Sequence, residues 1–126
     1  MTTIPTYDAI RAIAVRLVRE RYPSAVAAII GGSFATGRQT ASSDIDLLLL
    51  FDHVECAWRD TQVAEGRTVE LFGHDLATFD YFCREMDAPG GKVPLAMMVV
   101  EGENIVAAGD AYARLHALAH AIETAG

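Results

Sequence analysis

Two short apolar runs bracket a polar segment, and the residues at the two seams constrain this chain more than any others. The first run, residues 25–30, stops at Gly31-Gly32-Ser33. The second, residues 47–51, begins directly after Ser43-Asp44-Ile45-Asp46. Short, continuous apolar runs closed by turn residues read as strands covered on both faces. A flexible turn ending one strand, and two carboxylates opening the next, is the layout of a site for phosphate and metal.

Side chains alternate along a strand, so Asp44 and Asp46 share a side with Leu48 and Leu50. Ile45, Leu47 and Leu49 take the other. The two acids then stand at the entry end of the strand, ~7 Å apart between α-carbons. Gly31 and Gly32 allow backbone conformations and close approaches that a side chain would block. Ser33 is placed to cap a short helix over residues 34–36, ended by Gly37. Backbone N–H groups at a helix start, joined by a serine hydroxyl, make an anion site for a triphosphate. Arg38 reads either as a phosphate contact or as a solvated loop cation, and Lys92 has the same status.

Moving a nucleotidyl group requires charge neutralisation on the phosphates and activation of the attacking oxygen. Two divalent ions about 3.5–4 Å apart achieve both. Magnesium takes oxygen ligands, typically one or two carboxylates completed by phosphate and water. A third acid on a neighbouring strand can complete the shell of the second ion or take the acceptor's proton. Glu70, alone between Val69 and Leu71 in a strand predicted over residues 68–72, is the candidate. Burying it unpaired would be costly. Glu65 and Asp60 are the alternatives if the preceding loop folds back.

The rest of the chain reads as a frame. Residues 6–22 form an amphipathic helix with Ile10, Ile13, Leu17 and Val18 on one face, Thr6 as N-cap and Pro23 as its stop. A helix is expected over residues 55–64, anchored by Trp58, and a second amphipathic helix over residues 75–86. Residues 88–92 form a Pro-Gly-Gly turn, residues 93–100 a short helix and residues 105–107 a short strand. Asp110 starts the last helix, with Ala111, Leu115, Leu118 and Ile122 as its apolar stripe. His116 and His120 read as an exposed face of that helix. His53 and His74 fall beside predicted strand ends near the acids. The two cysteines, Cys56 and Cys83, lack metal-ligand spacing and read as buried free thiols.

Gly32-Ser33, ten residues, then Asp44-Ile45-Asp46 resembles the signature of the DNA polymerase β superfamily of nucleotidyltransferases. The resemblance is nearest to the minimal bacterial and the kanamycin-type members. Gly31, Gly37, Ser43 and Leu47 fall where that pattern favours them, and Val69-Glu70-Leu71 resembles its third-acid strand. The resemblance implies an α/β (α+β) fold, a mixed β-sheet flanked by helices with a polymerase β palm-like core. It implies two Mg2+ ions (or Mn2+) held by Asp44, Asp46 and Glu70. It also implies a nucleoside triphosphate, ATP by preference, held by Gly31, Gly32, Ser33, Arg38 and Ser43. Transfer of the nucleoside monophosphate to a hydroxyl would release pyrophosphate.

Many relatives carry Asp where Glu70 stands, and larger ones append a helical domain. The expectation here is one domain over residues 1–126, with residues 110–126 beginning a helical region. That region is either absent from the chain or supplied by a helical partner, as in toxin–antitoxin modules, or by a second copy. Two other readings stay open: a nucleotide-binding module that regulates a partner without catalysis, and an antibiotic-modifying transferase.

Composition narrows the field. A length of 126 residues with 52% hydrophobic and 21% charged residues is a globular profile. The net charge of −7 argues against a protein that grips a nucleic-acid template by phosphate neutralisation. No apolar run approaches the ~18 residues a membrane span needs, and the N-terminus lacks a signal-peptide pattern, so the expected setting is cytoplasmic. A P-loop is excluded by the missing Gly-Lys-Ser/Thr ending, and a dinucleotide fingerprint by the absent Gly-x-Gly-x-x-Gly.

Overall fold

The computed structural model describes residues 5–32, 43–87, 94–106 and 109–124. Helix α1 (Tyr7–Arg21) starts as its sequence dictates, with Thr6 Oγ1 accepting from the Ala9 N–H at 3.2 Å. Its buried stripe is Ile10, Ala14, Leu17 and Val18, with Ile13 at the margin. Five strands follow: β1 (Ala27–Gly31), β2 (Ile45–Leu50), β3 (Trp58–Ala64), β4 (Arg67–His74) and the two-residue β5 (Glu103–Asn104). They form one sheet in the order β3-β4-β2-β1-β5. Only β2 and β4 run parallel; the other neighbours are antiparallel. Helix α2 (Leu76–Tyr81) runs into a π-helical turn at Phe82–Asp87, and α3 (Pro94–Glu101) and α4 (Ala111–Thr124) complete the frame. A mixed sheet flanked by helices is the α+β architecture the sequence implies.

Strand alternation divides the interior into two cores. Ile45, Leu47, Leu49, Val69 and Leu71 pack with Ala28 and Ile30 under α1. Leu48 and Leu50 pack with Ala27, Ile29 and Phe79 under the other helices, joined there by Leu95, Val99 and Leu115. Both faces of β1 and of most of β2 are therefore covered, which is why residues 27–30 and 47–50 are apolar without interruption. In α4 the buried positions are Leu115, Ala119 and Ile122, while Leu118 and Ala111 are half-covered.

Three expectations are corrected. Residues 55–64 are not a helix: Trp58–Ala64 is the edge strand β3, paired antiparallel to β4 from Trp58↔Gly73 to Ala64↔Arg67. The hairpin turns at Glu65 (φ 51) and Gly66 (φ 80). Trp58 still anchors the segment, stacking on Tyr22 with ring centroids 5.7 Å apart. It does so across Gly73, where a Cβ would lie 2.0 Å from the indole.

The last strand is Glu103–Asn104, ahead of the predicted residues 105–107. Asn104 Oδ1 accepts from the N–H groups of Ala28 and Val106, so the side chain itself ends the pairing, although Ile105 N–H still donates to Ala28. Cys56 is exposed rather than buried, because it lies on a bend and not on a helix; Cys83 is buried, and neither forms a disulfide. The helix expected over residues 34–36, the turn at residues 88–92 and Ala107 lie outside the described residues. Among the described residues no helix is long and apolar enough to cross a membrane.

Candidate active site

The parallel pairing of β2 with β4 sets Asp46 directly beside Glu70. Neighbouring strands lie about 4.8 Å apart, so the two carboxylates rise side by side from the same face. On the other flank of β2, Asp46 pairs with Gly31 of β1. Asp44 stands exposed just ahead of β2 and Ser43 is half-covered beside it. The Ser43 carbonyl accepts from Arg67 Nη2 at 3.2 Å, which ties this entry to the start of β4.

The glycines explain how the turn fits against the acids. Gly32 has φ +69, and a Cβ on it would fall 2.2 Å from Asp46 Oδ2. Only glycine lets this backbone lie against that carboxylate. A Cβ at Gly31 would meet the Met98 side chain of α3 at 2.2 Å. Ser33, Arg38 and Lys92 lie outside the described residues.

The electrostatics follow from this crowding. The Asp46 carboxyl is pushed above its ordinary range, first by burial, then by the negative charges of Asp44 and Glu70, with Arg59 opposing. Three mutually repelling carboxylates with hard oxygen donors are chemically suited to a divalent cation. Among the described residues, however, no three acid, His or Cys side chains stand close enough together to enclose an ion by themselves. Magnesium does not need such a cage, since phosphate and water complete its octahedron.

Glu70 is held on its far side by β3. Thr61 Oγ1 stands 3.1 Å from each carboxylate oxygen, and Arg59 Nη2 lies 3.4 Å from Oε2. Arg59 also covers the ring of Phe72, 5.0 Å from its centroid. Neither residue was singled out from the sequence. The signal in residues 58–64 is weak: Trp58, Thr61 and Val63 favour a strand, Arg59, Gln62 and Ala64 tolerate a helix, and no apolar–polar alternation decides between them.

The alternative third acids go elsewhere. Asp60 is turned to its own strand, accepting from Thr61 N–H and Gln62 Nε2, and Glu65 pairs with Arg16 of α1. His74 pairs with Leu50, four residues along β2 from Asp46 and thus ~13 Å away. It is buried against Phe79 and Phe82, and burial lowers its pKa. His53 is exposed near Asp75 at that same remote end. His120 is exposed on α4, and His116, half-covered, packs against Tyr112.

Residues 12–88 match the family described as nucleotidyltransferase domain. The chain belongs to that family. The matched span runs from α1 through the π-helical turn and includes the glycine turn, both aspartates and Glu70. This nucleotidyltransferase domain also superposes on the crystal structure of a nucleotidyltransferase-like protein from Exiguobacterium sibiricum, with a TM-score of 0.61 and 14% identity. The superposition covers 88% of this chain but 38% of the other, a likeness of fold. No curated protein matches the chain.

Proposed function

We propose that this domain transfers a nucleoside monophosphate from a triphosphate, ATP by preference, to a hydroxyl acceptor with magnesium. Family membership supports nucleotidyl transfer as the class of reaction. The observation that carries the finer reading is the in-register pair Asp46 and Glu70, with Asp44 two residues away and Gly32 against Asp46.

In this reading Asp44, Asp46 and Glu70 hold two Mg2+ ions, for which Mn2+ can substitute. The bound ions supply charge neutralisation on the phosphates and a lowered pKa for the acceptor hydroxyl. The chain's own residues then divide the work. Gly31, Gly32 and Ser33 seat the triphosphate on the β1 side, Ser43 shapes the entry to β2, and Arg38 contacts phosphate.

The acceptor approaches from the β4 side. Its oxygen bonds to the α-phosphorus as the bond from that phosphorus to the bridging oxygen breaks, and pyrophosphate carries off the electron pair. Glu70 receives the hydroxyl proton. One carboxylate on β2, one on β4 and one just ahead of β2 draw on neighbouring strands of one sheet, and fixed placement is what positioning chemistry demands.

The chain spans 38% of the length of the structure it superposes on. We assign the acceptor to a helical partner protein, as in a toxin–antitoxin pair, or to a cleft completed by a second copy. The test is incubation with α-labelled ATP and Mg2+ in the presence of a co-expressed partner. Label is expected on a partner hydroxyl with pyrophosphate released, and lost in Asp44→Ala/Asp46→Ala. Transfer that persists in the double variant removes the mechanism. Metal-dependent ATP binding without pyrophosphate across a panel of acceptors would make the domain a regulatory nucleotide-binding module instead.

A further inference from the structure

We infer that Arg59 and Thr61 of the edge strand β3 are positioning residues for Glu70 that act on metal affinity in opposite directions. Thr61 orients the carboxylate, and Arg59 competes for it as a rival cation. The inference rests on the acidic-site reading above and adds to it two residues from a strand that contributes none of the proposed ligands.

The geometry is specific. Thr61 pairs directly with Glu70 across the β3–β4 ladder, so its hydroxyl sits level with the carboxylate, 3.1 Å from both oxygens. A hydroxyl donates one proton, so it satisfies one oxygen at a time and leaves the other with free lone pairs. A β-branched threonine is also stiff at χ1, so the hydroxyl holds its aim without much lost freedom. That is the arrangement in which an outer hydrogen bond fixes a ligating carboxylate.

Arg59 pairs with Phe72, two residues along the ladder, and reaches back over that ring to Glu70 Oε2 at 3.4 Å. The guanidinium is permanently charged. Its side chain is 67% exposed, while that of Glu70 is 18% exposed. The acid is thus largely shielded, while the cation beside it borders solvent. A divalent ion held by Asp46 and Glu70 has to share a carboxylate with Arg59, and the two positive charges repel. Stacking on Phe72 gives Arg59 a resting place when it yields.

This predicts a pattern that mere structural support does not. Mn2+ alone, titrated into the full chain by calorimetry, is the probe. Arg59→Gln should bind Mn2+ roughly three- to fivefold more tightly than wild type, the range expected for removing one partly screened charge. Arg59→Lys keeps the charge and should return to near the wild-type affinity. Thr61→Val, a β-compatible substitution, should bind about tenfold more weakly, the low end of what losing an orienting bond to a ligand costs. Thermal melts of each variant without metal verify that the fold is kept.

Weaker or unchanged affinity in Arg59→Gln overturns the competition, and unchanged or tighter affinity in Thr61→Val overturns the orienting role. Asp46→Asn separates this inference from the reading beneath it. If wild type binds and Asp46→Asn does not, the acidic site stands whatever the β3 variants do. If wild type shows no saturable Mn2+ binding, or Asp46→Asn binds equally well, the acidic-site reading and this inference fall together.

Discussion

At the scale of single residues, Asp46 bears the tension of the site. It is half-buried, pressed against Gly32 and flanked by two other acids, and its pKa is raised mainly by burial. A carboxyl with a raised folded-state pKa binds its proton more tightly folded than unfolded. The associated stability is therefore present below the unfolded pKa and lost as pH rises through the folded one. At neutral pH the ionised Asp46 costs stability, a strain that binding sites commonly carry. Asp46→Asn should therefore raise the unfolding free energy at pH 7 by on the order of 0.5 kcal/mol once solvent screening is allowed for, read as a higher urea midpoint. Nucleotidyl transfer should disappear in the same variant. Parallel urea melts and transfer assays check both halves.

At the scale of elements, what aims the strands is a set of local ties at their ends. Asp75 caps α2: its carboxylate accepts from the Thr78 N–H at 2.7 Å, and the Thr78 hydroxyl accepts from the Asp75 N–H in return. Its other oxygen accepts from the Val54 N–H at 3.0 Å, joining the loop after β2 to the helix after β4. The Thr78 N–H, followed by that of Val54, holds its pKa below the ordinary carboxylate range. A depressed carboxyl contributes stability above its unfolded pKa and loses it as pH falls through the folded one. Asp75→Ala should cost about 1 kcal/mol at pH 7, the usual worth of an N-cap. The difference from wild type should shrink in acid below the ordinary carboxylate range. Chemical melts at neutral and acid pH measure it.

At the other edge, Asn104 and the Glu103 contacts to Tyr7 and Arg11 fasten β5 to β1 and α1. Burial, and then the Glu103 hydrogen bond, raises the Tyr7 pKa.

At the scale of the whole molecule, the sheet is sealed by α1 on one face and by α2, α3 and α4 on the other, with the acids at the end of β2 where Asp44 stands exposed. Binding at that end should stabilise the fold by mass action. Mg2+ at a hundred times its dissociation constant should add about 2.7 kcal/mol. Thermal melts with and without Mg2+ should show the shift in wild type and none in Asp44→Asn/Asp46→Asn. A net charge of −7 makes the metal-free chain the more self-repelling of the two.

Much of this was legible in the sequence because it is written locally. Thr6 and Pro23 bound α1, glycines close β1, and the alternation around Asp46 separates the two cores, all through rules that act within a few residues. The glycine turn and the pair of aspartates were legible as sequence features for the same reason. Residues 58–64 misled because their composition tolerates a helix, and pairing with β4 outweighs so weak a preference. Cys56 was misassigned along with them.

Local rules favour Glu70 as the acid beside Asp46 but leave Asp60 and Glu65 open. Asp60, Glu65 and Glu70 lie within one hairpin, and only the parallel register of β4 on β2 selects Glu70 while sending Glu65 to Arg16. The sequence by itself determined that a glycine turn and an acid pair would share the end of a covered sheet. Tertiary structure alone decided that Glu70 stands level with Asp46 and that Arg59 and Thr61 contact it, because those are contacts between strands, fixed by ladder register and not by neighbours along the chain.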